Sequence, residues 1–422
     1  MTTISRRALL TTAGASLAAA AIRPTAAATS DRIRLAVLGL GSQGRHHALS
    51  FARHPHCEVA ALCDVDPERL ERVRAELPNP EAVRATTDYR RILDDATIDA
   101  VSIATPDHWH TKLALHALEA GKHVYVEKPC SHTIEEARLL MQAAASSGKC
   151  VQHGTHSRGS SGIREGVDYL RQGHLGTVRV AKAINQQLRR PIGRAEVENP
   201  PAGVDYDMWL GPAPEHPFTR NRWHYNWHWF WDYGCGDIAN DGIHQLDQIL
   251  WALDLGIPNA ISGSGGQLFY DDDHETPDTQ TITFEYDRCH VIYEMRLWTD
   301  YPLEGHDNGV VFYCDGGTIA FGREGCFATP IGEAPRKVGG GAAFDENAHN
   351  FVDAVVANDP RLLLSPIDAG AVASAICHMG NIVTRTGCRA VHVDPTTWRF
   401  DNDAANALWG RAYRTGYELP KV

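Results

Sequence analysis

No Cys-x-x-Cys pair occurs among the ten cysteines of this 422-residue chain, and no Cys/His cluster has metal-ligand spacing. That argues against a zinc ribbon, a dithiol redox pair and a dense disulfide scaffold, and no metal is expected. Cys63, Cys150 and Cys289 fall in apolar segments, where a thiol acts as a small hydrophobe. Mostly free cysteines are predicted. A basic excess is missing too: 40 Lys and Arg stand against 52 Asp and Glu, a formal net charge of −12. Such a surface suits no nucleic-acid partner, because phosphate contacts need Lys/Arg clusters. Beyond the N-terminus no apolar run reaches about 18 residues, so no membrane span is expected. The chain also lacks a repeat of fixed period and any long low-complexity tract.

The N-terminus differs from the rest. Ser5-Arg6-Arg7-Ala8-Leu9-Leu10 is a twin-arginine pattern, followed by an Ala-rich apolar stretch and Ala26-Ala27-Ala28. Small residues at a cut, an apolar run and paired arginines in that order read as a signal for export to a periplasmic or extracellular space. Residues 1–28 are assigned to it. A plain amphipathic or unstructured tail is the alternative.

Residues 29–155 read as one domain. Short apolar segments at 33–39, 59–63, 100–104, 123–126 and 150–152 alternate with helical segments, which is βαβ spacing and predicts a parallel, doubly wound sheet. The first strand runs into Gly39-Leu40-Gly41-Ser42-Gln43-Gly44. Glycines there let backbone approach a pyrophosphate seated on the following helix N-terminus. Asp64 ends the next strand. It can accept hydrogen bonds from a ribose hydroxyl and repels a 2′-phosphate, so NAD is favoured over NADP. Thr105, Pro106, His108 and His110 follow a third strand end and can face nicotinamide or pyrophosphate. Glu127-Lys128-Pro129 ends a fourth. A lysine beside a cationic nicotinamide has its charged form disfavoured and can share a proton with a substrate hydroxyl. A surface lysine before a loop is the plainer alternative.

Residues 156–422 follow a different grammar. Longer alternating strands at 177–185, 279–285, 291–299 and 310–314 predict an open, largely antiparallel sheet in a second α/β domain. Helices are expected at 163–171, 237–253, 347–356 and 367–385. Trp223 to Tyr233 packs seven aromatic rings among His224 and His228. Aromatic faces stack on sugar rings, and histidines reach hydroxyls; core packing or an oligomer interface uses the same residues.

The order GxGxxG, TPDHWH, GKHVYVEKP resembles the Gfo/Idh/MocA oxidoreductases. The later pieces MWLGP, GDIANDGIHQLD and DNDAANALWGRAY resemble an exported branch of that family. The resemblance covers nearly the whole chain after the signal. It implies a Rossmann domain plus a substrate domain that forms homo-oligomers through its sheet; the folded-export signal together with the Rossmann site predicts a tightly bound nicotinamide cofactor. It also implies catalysis by Lys128 with His244 on a helix. Asn240 stands where the family often has Asp. Asn240 and His244 are spaced i,i+4, as are Asp237 and Asp241, so each pair shares a face. His153, Arg158, Trp223, His224, Asp241 and Asp247 are the expected substrate contacts. The reaction implied is hydride transfer from a carbinol of a sugar, glycoside or cyclitol. Two alternatives stay open: an NAD-dependent glycosidase that oxidises a ring transiently and eliminates, and a non-catalytic sugar-binding protein.

Overall fold

Within Ile33–Leu38 (IRLAVL), residues 35–38 are apolar and buried in succession, as in a strand covered on both faces. In a computed structural model, which describes residues 32–420, this strand is β1, near the centre of a six-stranded sheet. The expected signal segment lies outside the described residues. The other strands are β2 (Cys57–Cys63), β3 (Arg84–Thr86), β4 (Ala100–Ile103), β5 (His123–Val126) and β6 (Val151–His153). All pair in parallel, in the order β3-β2-β1-β4-β5-β6. Chain order reverses between β1 and β4. The carboxyl ends of these two strands therefore open the crevice in which doubly wound sheets bind ligands.

Helix signals act as expected in this half. Asp66 caps Pro67–Ala75 by accepting the Glu68 N–H, with Pro67 in the first turn. Ile134–Ser147 is capped by Thr133 and closed by Gly148 in the left-handed region (φ 66°).

A second sheet of nine strands follows: β7 (Val178–Gln186), β8 (Ala260–Gly266), β9 (Thr279–Glu285), β10 (His290–Arg296), β11 (Asn308–Cys314), β12 (Gly317–Gly322), β13 (Gly325–Pro330), β14 (Arg336–Gly339) and β15 (Ala390–His392). Its order is β14-β13-β12-β11-β7-β10-β9-β8-β15. Only β7 and β10 pair in parallel; every other pairing is antiparallel. On β9, Gln280, Ile282 and Phe284 point inward while Thr279, Thr281 and Thr283 face out. Helices Ile243–Leu253 and Ile367–Thr386 lie against this sheet. Residues 237–253 were expected to be a single helix. They divide instead, with a π-helical turn at Ile238–Gly242 ahead of the α-helix.

The two sheets share core. Helix Asp345–Val356 returns to the first sheet, and its Ala348, Phe351, Val352 and Val355 pack with Leu35, Val37 and Phe51. All ten cysteines are unpaired, and eight of them are buried. Among the described residues no helix is long and apolar enough to cross a membrane.

Candidate active site

A cleft of about 310 Å³ opens at the carboxyl ends of β1 and β4. One wall is the glycine turn. A Cβ on Gly39 would lie 2.6 Å from the Ala104 carbonyl oxygen, at φ +83°, and one on Gly44 only 1.8 Å from the Gly39 oxygen. These two glycines therefore serve close strand–helix packing. Gly41 is different: its Cβ would meet only the Arg69 guanidinium, at 3.3 Å, so the space above it is open. Helix Ser42–Arg53 starts there with no side-chain cap and no acid in its first turn. Its positive end is left for an anion, and Ser42 and Gln43 line the same cleft. Thr105 Oγ1 and Asp107 Oδ2 are buried, without hydrogen-bond partners, on the opposite wall. Burial pushes the Asp107 carboxyl up to about 7, against the charge of Lys128. An open glycine cradle with orphaned polar atoms facing it fits a dinucleotide.

At one end Asp64 accepts the Leu40 N–H (2.6 Å) and the Asp66 N–H (2.9 Å). Burial raises its pKa against those bonds. Arg69, which the sequence reading overlooked, lines the cleft beside it. A basic residue two places into the helix after the ribose acid was the available signal. His224 stands here too, with Nε2 2.8 Å from Asp66 Oδ2. It was expected on the substrate. Its ring is held by Asp66 instead.

At the other end lies the Lys128–Pro129 cis peptide. Lys128 Nζ donates to the Asn240 carbonyl oxygen (2.6 Å) and to Asn240 Oδ1 (3.1 Å). Asn240 Nδ2 donates in turn to Asp237 Oδ1 (2.9 Å). Asp237 is fully enclosed and also accepts from Asn185 Nδ2 (2.8 Å) and Arg189 Nη2 (3.1 Å). The π-helical turn carries both Asn240 atoms to the lysine. The Asp237 carboxylate thus stands behind Asn240, and the amide accepts from the lysine while donating to Asp237, which an ionised carboxylate at 240 could not do. Glu127 lines the cleft, yet its acceptors are taken from within: Oε1 meets His47 Nε2 (2.9 Å) and Gln43 Nε2 (3.0 Å), and Oε2 takes the Lys128 N–H (3.0 Å). Burial opposes its charge, but these bonds and Lys128 hold its pKa well below the usual range.

Several expected residues lie elsewhere. His108 is fully buried outside the cleft, its ring nitrogens on the Trp209 (2.9 Å) and Tyr233 (3.3 Å) carbonyls. His110 reaches the cleft wall, but its nitrogens face the Pro129 (2.6 Å) and Thr105 (2.8 Å) carbonyls, so it fixes the cis turn. Arg158 and Asp247 were expected on the substrate and instead grip each other. Arg158 Nε and Nη2 reach Asp247 Oδ1 at 2.9 and 2.8 Å, with both side chains at least nine-tenths buried. Arg158→Leu leaves a buried carboxylate uncompensated, which should cost roughly 3–5 kcal/mol of stability. Denaturant unfolding would read this, and a loss under about 1 kcal/mol would return the pair to a binding role.

Trp223 packs among Trp209, Phe218 and Tyr206 rather than lining the cleft. His153 is fully buried, Nδ1 3.2 Å from Thr155 Oγ1. The Asp241 carboxylate takes both the Gln187 and Asn308 amides. Burial and then the Asp237 charge push it up to about 6. His244 lies one helical turn beyond Asn240 but does not line the dinucleotide cleft. Its ring is 4.5 Å from that of His156, which rests 4.3 Å from half-exposed Phe344. Burial, then His156 and Lys128, hold the His244 imidazole well below its usual pKa, so it is neutral. His228, one of the two histidines of the aromatic run, faces the cleft and bonds the Tyr225 carbonyl through Nδ1.

Residues 33–155 match the profile described as an oxidoreductase family, NAD-binding Rossmann fold, and residues 190–419 its C-terminal alpha/beta domain. An uncharacterised oxidoreductase, YrbE of Bacillus subtilis, is 27% identical over 38% of this chain and 47% of its own length. A glycosyl hydrolase family 109 protein of Shewanella pealeana is 32% identical over 27% of this chain and 26% of its own. The match thus spans half or less of these curated relatives' length. The levoglucosan dehydrogenase structure in complex with NADH and levoglucosan superposes with a TM-score of 0.67 at 17% identity, over 86% of this chain and 99% of that one. At that identity the likeness shows the fold. Both domain profiles, in their expected order over most of the chain, make this protein a member of the Gfo/Idh/MocA oxidoreductase family.

Proposed function

We propose that this chain oxidises a hydroxyl of a sugar, glycoside or cyclitol with a tightly held nicotinamide cofactor, NAD in preference to NADP. The observation that carries this reading is the Lys128–Asn240–Asp237 relay at the end of the cleft. Two N–H groups of Lys128 are committed to Asn240, which fixes the direction of the remaining position on Nζ, the lone pair of the free amine, toward a substrate oxygen. When bound, the nicotinamide supplies the acceptor for the carbinol hydrogen. Lys128 Nζ takes the hydroxyl proton as the carbonyl forms. The neutral His244, with His156 and Phe344, forms a wall for the rest of the sugar, Phe344 offering a ring face.

Nicotinamide should be detectable by mass after heat denaturation of the purified protein. Protein that emerges free of cofactor and needs millimolar NAD would sink the tight-binding part. In a direct titration NAD should bind at least about tenfold more tightly than NADP, because Asp64 meets a 2′-phosphate with like charge. Arg69 is the competing influence. Equal affinity would show that its charge offsets Asp64.

A glycosidase using the same cofactor in a closed redox cycle is the second reading, and the family 109 relatives favour it. Export as a folded, cofactor-loaded enzyme through the twin-arginine signal suits such a cycle, since it needs no external nicotinamide. Self-association through the outward face of the second sheet belongs to the same reading. Incubation with a glycoside library, with and without NAD, separates net oxidation from cleavage. No turnover in either arm would favour a sugar-binding role.

A further inference from the structure

A second cavity, of about 220 Å³, shares no lining residue with the cofactor cleft. It sits where the loop after the cis turn meets helix Ile367–Thr386 and the C-terminal segment. Three of its lining residues leave buried polar atoms without partners: both ring nitrogens of His132, Oδ1 of Asn381 and Nη1 of Arg411. Asn381 is 5% exposed, and its Nδ2 is committed to the Cys235 carbonyl (2.7 Å), which fixes its oxygen. Arg411 is likewise pinned, with Nε on Glu136 Oε1 (2.8 Å) and Nη2 on the His108 carbonyl (2.7 Å). Four unmet atoms in one small space are costly to bury unless something meets them.

Their chemistry selects the occupant. Arg411 Nη1 only donates, and Asn381 Oδ1 only accepts. Burial, then the charge of Arg411, holds His132 well below its usual pKa, so its neutral ring supplies one donor and one acceptor. An oxyanion, which only accepts, would meet two acceptors. The wall also carries both signs of charge: Arg411 is paired with Glu136, and Arg385, 4.5 Å over the Trp231 ring, shares the lining with the Asp232 carboxylate. Alternating donors and acceptors match adjacent hydroxyls, each of which does both.

We propose that this cavity is a second binding site for the vicinal diol of a small polyol, separate from the catalytic cleft. Cys235 forms part of its wall and lies against Asp107, whose carboxylate lines the cofactor cleft. The two sites are therefore back to back across the Cys235–Asp107 contact.

The test uses full-length protein with its cofactor, labelled with ¹⁵N-histidine. The His132 ring signals are assigned by their loss in His132→Phe. Erythritol should move them saturably, with a Kd on the order of 1 mM. Asn381→Val should weaken this at least about tenfold, the worth of one buried hydrogen bond. Ala412→Phe, at an exposed position of the lining, blocks the cavity without touching the core and should abolish the shifts. Lys128→Met should leave them unchanged, because that residue belongs to the other cleft. A response that never saturates, or stronger shifts from acetate than from erythritol, would overturn the proposal. So would shifts that persist in Ala412→Phe or vanish in Lys128→Met.

Discussion

Lys128→Met should turn over at least about 10²-fold more slowly than the native protein while keeping its nicotinamide, because a positioned acid–base group contributes that much. The two halves of this expectation rest on separate parts of the site. Cofactor binding draws on the open turn at Gly41, the helix N-terminus at Ser42 and the carboxylate of Asp64. None of these touches Lys128 Nζ, whose hydrogen-bond partners are both on Asn240. Methionine keeps the length and apolar stem of lysine, so the cleft wall is preserved while the proton carrier is lost. Lys128→Arg is the informative companion. It restores a cation but cannot give up its proton near neutral pH, so it should be as slow as the methionine variant. Full activity in Lys128→Met would remove the lysine from the chemistry. Loss of bound nicotinamide in both variants would make it a cofactor anchor instead.

The sequence made the first sheet legible because its signals are local. Five apolar strands, the glycine turn and the Asp66-Pro67 and Thr133 helix starts each lie within a few residues of the structure they specify. The second domain was read less completely. β12, β13 and β14 are short, Gly-bounded and half-exposed, so their alternation is weak, and 317–339 was not seen as three paired strands. The return of helix Asp345–Val356 to the first sheet is a tertiary choice that its amphipathic pattern does not encode. Site residues failed in the same way. Arg158 and Asp247 are 89 positions apart, and nothing local says that each is the other's partner. The π-helical turn is likewise hidden, since its residues fit an ordinary helix. Without it the link between Asn240 and Lys128 is not evident.

Asn240→Asp should therefore do the opposite of repairing a departure from the family pattern. We expect turnover to fall at least about tenfold at neutral and alkaline pH, with partial recovery toward acid, since a lost hydrogen bond to a charged group costs that much. The native amide donates to Asp237 Oδ1 across 2.9 Å and accepts from Lys128 across 3.1 Å. An ionised carboxylate keeps the second bond and turns the first into repulsion at hydrogen-bond distance, with Asp237 1% and Asn240 9% exposed. Asp241 adds a third acid close by, and its own pKa is already pushed up to about 6 by burial and then by Asp237. Among the described residues, Arg189, on Asp237, and Lys128 face this group as cations. Like charges so close cannot all ionise, so the Asp237 pair in the variant shares a proton whose pKa is raised above the ordinary carboxylate value. The sign follows from the protonated form. A neutral carboxyl at 240 donates to Asp237 and accepts from Lys128, which reproduces the amide. A raised folded-state pKa favours the protonated site at low pH, and that stabilisation is lost as pH rises through it. Thermal stability and turnover should therefore both decline with rising pH in the variant, relative to the native protein, and in the same window. Matching pH profiles for the two proteins would mean that Asn240 does not transmit Asp237 to the lysine, and the relay would have to be abandoned.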